Sequence, residues 1–430
     1  MKNLFKRFVV YVLVLEAKIL LKRHKPTIIA ITGSVGKTSM KDAIFSILKK
    51  HYSTRKSEKS FNSDIGVPLT VLGLPNAWNN PFLWLKNLVD GFFIAIFSKE
   101  YPTYLVLETG IDRPGDMSKL TSWMKPDMVV LTRLPDVPVH VEYFSDPQSV
   151  IDEKMKLVEA LKPEGVVIYN HDDEIIQKEL AEVRHKAIGF SRYLPSQFTA
   201  SNDQIFYHDD VPAGLSFDIN NLAENYTVKI SGVVGGQHVY TYAGAIAVAS
   251  QCGVVLREAV DDLSTHVSPP GRMRIIKGIK GSVLIDDTYN SSPAAAEQAI
   301  ITLKEIKQAK RKIAVLGDML ELGRFSPREH ERIGELVAGS ANILFTIGVR
   351  ARKIAETALE YGISEKNIFQ YDDVAKAGRE LQNFIQAGDV ILIKASQGIR
   401  AEKIVEEVMQ EPEKASELLV RQDSAWLAKK

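Results

Sequence analysis

Residues 27–40 read Thr-Ile-Ile-Ala-Ile-Thr-Gly-Ser-Val-Gly-Lys-Thr-Ser-Met, a β-branched run that breaks into a glycine turn and ends in Lys37-Thr38. The pattern predicts a strand, a phosphate cradle and the start of a helix. Gly33 and Gly36 let the backbone approach a polyphosphate closely, and the amides that open the next helix point at its negative charge. Lys37 has the reach for the β and γ phosphates, and the Thr38 hydroxyl suits a magnesium ion. Gly33, Ser34, Val35, Gly36, Lys37, Thr38 and Ser39 are therefore the candidate nucleotide cradle. The loop departs from the general G-x-x-x-x-G-K-[ST] pattern because position 31 is Ile. An ordinary glycine turn is the competing reading, and the adjacent Lys-Thr-Ser weighs against it.

Working outward, apolar strand-like runs at Tyr104 to Leu107, Met128 to Leu131 and Val166 to Tyr169 alternate with helical periods, as a largely parallel α/β sheet requires. In such sheets the carboxyl ends of the strands border the ligand crevice. That places Glu108, the loop from Arg133 to His140, and Asn170 to Asp173 beside the nucleotide. Residues 197–229 alternate on a shorter period and predict a small antiparallel elaboration, followed by a helix from about Val239 to Cys252. Pro269-Pro270-Gly271 predicts a hinge, after which the alternation restarts with strands at 283–285, 313–316, 343–347 and 390–393. The expected organisation is a basic N-terminal helix over 1–26, a P-loop domain with a mainly parallel sheet over 27–267, and a Rossmann-like α/β domain over 268–430.

At 430 residues the chain is too long for one core, and 45% hydrophobic with 25% charged residues is an ordinary globular composition. The 54 basic and 53 acidic side chains nearly cancel, which gives no global reason to expect nucleic acid as a partner. One cysteine, Cys252, excludes an internal disulfide and a cysteine metal cluster, and fits a reducing cytoplasm. In its Ala-rich setting it reads as a core residue. The segment 1–25 is basic and apolar together, with Lys2, Lys6, Arg7, Lys18, Lys22, Arg23 and Lys25 against Glu16 alone. Its apolar run is too short to span a bilayer and no cleavage site follows. Two readings stay open, a helix on the inner face of an anionic membrane and a helix packed against the body. The same holds for Phe82 to Phe97.

Several polar residues carry candidate chemistry. Glu108 at a strand end has the type and place to hold a magnesium ion, and His140 is delivered to the same crevice edge. Lys154 reads either as a surface lysine of a charged helix or as a lysine held neutral, able to combine with carbon dioxide as a metal-binding carbamate. Arg272, just after the hinge, is placed to swing a guanidinium onto the γ-phosphate as the domains close. Asp286 to Asn290 and Lys394 to Gln397 follow strands of the second unit. Asp318, Glu321 and His330 are metal ligands by type, but a capped turn with its helix explains them equally well.

Taken together, Thr32-Gly33-Ser34-Val35-Gly36-Lys37-Thr38, Asn62-Ser63-Asp64-Ile65-Gly66-Val67-Pro68, Asp286-Asp287-Thr288-Tyr289-Asn290, the run from Val315 to Gly323 and the run from Lys394 to Lys403 resemble the Mur ligase family. The resemblance spans about 25–409 and is nearest the branch that adds D-alanyl-D-alanine to UDP-N-acetylmuramoyl-tripeptide. It implies an ATP-dependent amide ligase of peptidoglycan precursor synthesis that works through an acyl phosphate. It also implies magnesium held by Thr38, Glu108, His140 and a carbamylated Lys154, ATP contacts from His238, Arg272 and Asp287, and substrate contacts from Asn62, Asp287, Tyr289, Asn290, Lys394, Ser396 and Arg400. The sequence departs from the family in several places. No uridine-binding domain precedes Thr27, which leaves a lipid-linked or other peptide open as acceptor. The adenine-site His-Asn pair reads His238-Val239, a later asparagine is Tyr242, Ser63 replaces an asparagine and Gln397 an arginine. The Asp-Asn-Pro-Arg signature of the diaminopimelate- or lysine-adding relatives is absent. A non-catalytic nucleotide-binding scaffold is the reading from another class, and Lys37, Thr38, Glu108, His140 and Lys154 all stand against it.

Overall fold

The computed structural model describes residues 2–58, 61–78, 80–221 and 223–427, with side chains left aside at 2–4, 424 and 425. Met1, and Ala428 to Lys430 at the end of the second expected domain, lie outside the described residues. Two sheets organise the chain. The first has the order β2 (Thr54–Lys56), β3 (Tyr104–Glu108), β1 (Thr27–Thr32), β4 (Met128–Leu131), β5 (Val166–Asn170), β6 (Lys186–Ser191), β7 (Phe198–His208), β8 (Val211–Asn220) and β9 (Asn225–Ser231). It is parallel through β7 and antiparallel from β7 to β9. The antiparallel elaboration expected from the alternation therefore extends this sheet instead of standing apart from it. Short β2 and β6 escaped the sequence reading, since three residues of Thr-Arg-Lys carry no periodicity.

The second sheet has the order β10 (Arg274–Lys277), β11 (Val283–Asp287), β15 (Asp389–Lys394), β12 (Arg311–Gly317), β13 (Ile343–Ile347) and β14 (Ile368–Tyr371). All its pairings are parallel except β10 with β11. Strands β11, β13 and β15 are buried along their whole length and β12 from Ile313 onward, which is why they read as continuous apolar runs and not as alternations.

Helices cover both faces of the first sheet. On one side α2 (Lys37–His51) packs beside α8 (Gln237–Gln251), whose Ala-rich run is almost wholly buried and includes the core around Cys252. Burial pushes the Cys252 thiol up to about 12, so it is an inert core residue. The other side carries α3 (Gly66–Leu72) against the sheet, α5 (Asp116–Thr121) and α6 (Pro147–Glu159), with α7 (Glu174–Leu180) further along. Outside α3 lie α1 (Lys2–His24) and α4 (Pro81–Phe97). Helix α1 buries Val9, Leu13, Ala17 and Leu20 against the body, so the packed reading holds for one of its faces.

The C-terminal tail is tied to the second sheet by a buried ion pair. Arg421 donates to Glu402 Oε2 at 2.9 Å and to the Thr288 carbonyl at 3.1 Å, and both side chains are nearly inaccessible. Removing one partner of such a pair strands the other charge. Arg421→Ala should lower the urea unfolding free energy by about 3 kcal/mol. A loss under about 1 kcal/mol in equilibrium denaturation would place the pair among the weak surface contacts.

Candidate active site

Strand β1 lies between β3 and β4, so the chain leaves β1 where the strand order reverses, which is where open α/β sheets bind ligands. The loop after it is shaped by close approach. Gly33 has φ 135°, and a Cβ there would lie 2.1 Å from Thr132 Oγ1. Gly36 has φ 86° and immediately precedes α2. Gly33 excludes a side chain by contact and Gly36 disfavours one by its positive φ, as a close backbone approach requires. Lys37 opens α2 and its ammonium donates to the Gly33 carbonyl at 2.8 Å. Burial lowers its pKa, opposed by Glu108 and Asp112 and reinforced by Arg272. Thr38 is buried beside it, and its hydroxyl accepts from Arg272 Nη2 at 3.1 Å.

The β1–β3 register sets Ile31 opposite Glu108, which brings that carboxylate next to the loop. Glu108 Oε1 accepts from Asn62 Nδ2 at 3.3 Å, while buried Oε2 has no hydrogen-bond donor and lies 3.8 Å from Lys41 Nζ. A buried carboxylate oxygen with no donor is a ligand type that suits a hard divalent cation. Among the described residues no three His, Cys, Asp or Glu side chains converge as a metal cage.

Lys154 is not a surface lysine. Its neighbour Glu153 turns inward and accepts from the Met117 amide at 2.8 Å at the start of α5, with Lys156 at 2.6 Å. Lys154 beside it is 2% exposed and lies within electrostatic reach of Lys37. Burial pulls its pKa down to about 7, helped by the charge of Lys37 and opposed by Asp112. A substantial share of the amine is thus neutral near pH 7. His140, at φ 69°, sits 3.7 Å from Asp112, and its Nδ1 lies 2.8 Å from Glu321 Oε2 of the second unit. That pair holds the Glu321 carboxyl below the usual carboxylate range.

The hinge delivers Arg272. Gly271, at φ 69°, is hydrogen-bonded to Asp286 through its amide and to the Tyr289 amide through its carbonyl. Its neighbour's guanidinium stacks on the Tyr289 ring at 3.9 Å. Asp286 is spent on this turn, and burial pushes its carboxyl up to about 6. The next residue, Asp287, faces Lys394 across adjacent strands and accepts from its ammonium at 2.6 Å, and Lys394 also donates to the Asn290 carbonyl at 2.9 Å.

Part of the glycine loop meets Arg272, Asp287 and Lys394 at a cleft between the two units, and Lys37, Thr38, Glu108, His140 and Lys154 are not among the residues that line it. Val35, Gly36, Ser39, Asn170, His238, Arg272, Asp287, Asn290 and Lys394 line it. His238 is buried and its pKa falls to about 3 through burial, so it is a neutral imidazole there. Its ring lies parallel to Tyr242, the residue in the place of a family asparagine, with centroids 6.0 Å apart.

Other expected residues are placed less directly. Ser396 Oγ is buried, accepting from the Leu320 amide at 2.9 Å, so it braces the loop. Arg400 pairs with Glu402 at 2.5 Å and packs over Trp426. Neither lines the cleft. Of the two readings of Asp318, Glu321 and His330, the capped turn holds for two. Asp318 accepts from the Ala351 amide at 2.8 Å, and His330 accepts from the Met319 amide at 3.1 Å and meets the Ser326 carbonyl at 2.7 Å. Asp112 and Lys41 are the residues that sequence reasoning passed over. Asp112 had a usable signal, since it follows β3 at the crevice edge within Thr109-Gly110-Ile111-Asp112.

Known proteins are similar to this chain throughout. The Mur ligase middle domain matches residues 90–249, and the Mur ligase glutamate ligase domain matches residues 271–397. The UDP-N-acetylmuramoyl-tripeptide--D-alanyl-D-alanine ligase of Bacillus subtilis is 28% identical over 92% of this chain and 79% of its own length. That of Escherichia coli is 25% identical over 88% and 76%. The crystal structure of MurF ligase from Thermotoga maritima in complex with ADP superposes with a TM-score of 0.75 at 25% identity, covering 94% of this chain and 84% of that one. With a glycine cradle ending in Lys-Thr on the first unit and a Lys394–Asp287 pair facing it from the second, the chain belongs to the Mur ligase family of ATP-dependent peptide ligases.

Proposed function

We infer that the protein joins D-alanyl-D-alanine to UDP-N-acetylmuramoyl-tripeptide at the expense of ATP, in the synthesis of peptidoglycan precursors. The carrying observation is the cleft itself, where Val35, Gly36 and Ser39 of the glycine loop face Arg272, Asp287 and Lys394 of the other unit and Arg272 donates to Thr38 beside them. The reaction takes two displacements. The terminal carboxylate of the tripeptide attacks the γ-phosphorus and expels ADP, giving an acyl phosphate. The free amine of the dipeptide then attacks the acyl carbon, loses a proton and expels phosphate, leaving the new amide.

The chain's own groups serve each displacement. Lys37 and the amides that open α2 hold the β and γ phosphates, and Arg272 spreads the charge that gathers on the transferred group. Tyr289 keeps the guanidinium stacked and aimed. The neutral His238 and the walls of the cleft receive the base. Lys394, aligned by Asp287, is set among the groups that meet the incoming dipeptide, with Asn290 and Tyr289 beside it, and Asn62 orients Glu108. Magnesium, held by Thr38, Glu108, His140 and a carbamate on Lys154, would neutralise phosphate charge. The neutral amine of Lys154 forms that carbamate by attacking carbon dioxide and releasing a proton, which turns a cation into an anion. A reducing cytoplasm, where both ATP and the nucleotide sugar are made, is the proposed location.

The direct test is phosphate release by the purified chain with ATP and magnesium. Release should require both D-alanyl-D-alanine and UDP-N-acetylmuramoyl-tripeptide. Release that needs the dipeptide but not this nucleotide sugar would move the acceptor to a lipid-linked or other peptide, and no release with any pair would favour a scaffold. A second variant addresses the metal. Glu108→Gln keeps the shape and the Asn62 contact but removes the charge, and should raise the magnesium needed for half-maximal release at least about 10- to 100-fold, the range for outer-shell changes. An unchanged magnesium requirement would exclude Glu108 as a ligand.

A further inference from the structure

Helices α1 and α4 each bury one face and leave a second apolar face uncovered. On α1 the outer stripe is Phe5, Phe8, Tyr11, Leu15 and Ile19, all at least 42% exposed. On α4 it is Phe82, Leu85, Val89, Phe92, Phe93 and Phe97, and Phe82 is 81% exposed. The two helices run side by side in the same direction. Arg23 near the end of α1 donates to the carbonyls of Ala95 and Ile96 near the end of α4, and His24 Nε2 lies 3.1 Å from Ser98 Oγ. Midway, Gly91 of α4 admits Glu16 of α1 so closely that a Cβ there would lie 2.2 Å from its carboxylate. Two parallel helices lying one beside the other thus carry these eleven exposed apolar side chains on neighbouring elements, a concentration that the scattered exposed apolar residues of an ordinary surface do not show. The pair is called the α1–α4 shelf.

Charge is distributed unevenly along this shelf. Arg7, Lys18 and Lys22 recur on one edge of the α1 stripe at helical spacing and are exposed. The only acid of α1, Glu16, is turned to the inner face and is 5% exposed. The only acid of α4, Asp90, is paired with Lys86. Half-exposed Trp78 sits just before α4 and Tyr11 lies on the border of the basic row, which suits aromatic groups at a membrane boundary. No described helix is long and apolar enough to cross a membrane. An apolar face bordered by cations and stripped of free acids, on helices that are not both long and apolar enough to span, fits a surface that is negatively charged outside and oily within.

We propose that the α1–α4 shelf docks the enzyme on an anionic lipid bilayer, its phenylalanines entering the headgroup boundary and Arg7, Lys18 and Lys22 meeting lipid phosphates. The shelf lies outside α3, on the side of the first sheet away from α2 and α8, so docking leaves the nucleotide loop free. The proposal is independent of which peptide the ligase accepts.

The test is co-sedimentation of the full chain with vesicles of phosphatidylglycerol and phosphatidylethanolamine, against vesicles of phosphatidylcholine alone. Binding is expected on the anionic vesicles and should weaken with salt. Phe92→Glu with Phe93→Glu and Phe97→Glu should abolish it, and Arg7→Ala with Lys18→Ala and Lys22→Ala should weaken it about 100-fold. ATP-dependent phosphate release in solution should be unchanged in both variants, which also shows that they fold. Failure of the native chain to bind anionic vesicles overturns the proposal, as does equal binding to both vesicle types. A dimer in solution that the phenylalanine variant dissociates, without vesicle binding, would assign the shelf to a second copy of the chain instead.

Discussion

Lys37→Ala should lower ATP-dependent phosphate release by about 1000-fold, the upper range for loss of one group aimed at developing charge. The ammonium already lies at the mouth of the cradle, 2.8 Å from the Gly33 carbonyl, and needs only a rotamer change to reach a phosphate. Its burial makes an uncompensated cation costly, yet Glu108 and Asp112 oppose that cost. The position is therefore built to keep a charge that water does not screen, and such a charge acts strongly on the phosphoryl group. Lys37→Arg should not restore the rate, because a planar fork does not fit a loop closed around a compact ammonium. Thermal unfolding of the alanine variant should stay close to the parent, since removing a buried charge relieves desolvation. A rate within about tenfold of the parent would remove Lys37 from the transition state.

Lys154→Ala should cost roughly 100- to 1000-fold, as expected for a group that stabilises transferred charge, and should recover in part with added formate or acetate. The rescue is the discriminating result, because a lysine acting as a cation would not be replaced by an anion. Acidity gives a second readout. The folded-state pKa of about 7 lies below the ordinary 10.5, so the protonated amine is disfavoured in the fold. Below pH 7 that penalty is fully present, and it fades as the pH rises toward the value of an exposed lysine. In buffer stripped of carbon dioxide, Lys154→Met should therefore be more stable than the parent at pH 6, with the gap closing as the pH approaches 10. Thermal denaturation of both chains across that range measures it. A gap that widens with pH would show that the amine is not held uncharged by burial.

Much of the site was legible before any folding was considered. The cradle, Glu108 at the end of β3, and Arg272 after the hinge were each readable because local rules place them: glycine where φ is positive, polar residues at strand ends, proline and glycine at a domain break. Lys154 was readable only as a choice between two roles. Nothing in Asp152-Glu153-Lys154 tells which side chain turns inward, and the answer came from Glu153 capping the amides of α5. Asp318 and His330 show the reverse, residues of metal-ligand type that the fold uses to satisfy backbone amides.

By itself the sequence determined the α/β class, the order of the two sheets and the glycine turn between β1 and α2, because these depend on periodicity and backbone preference over a few neighbouring residues. Only the tertiary structure decided which distant groups meet. It set His140 against Glu321, Lys394 against Asp287, and Arg272 against Thr38, contacts between residues 107 to 234 positions apart for the two hydrogen-bonded pairs. It also decided that α1 and α4 pack side by side, each with an uncovered apolar stripe. The physical reason is that burial and charge pairing are properties of the packed whole, and a chain read residue by residue does not carry the separation of atoms that its folding brings together.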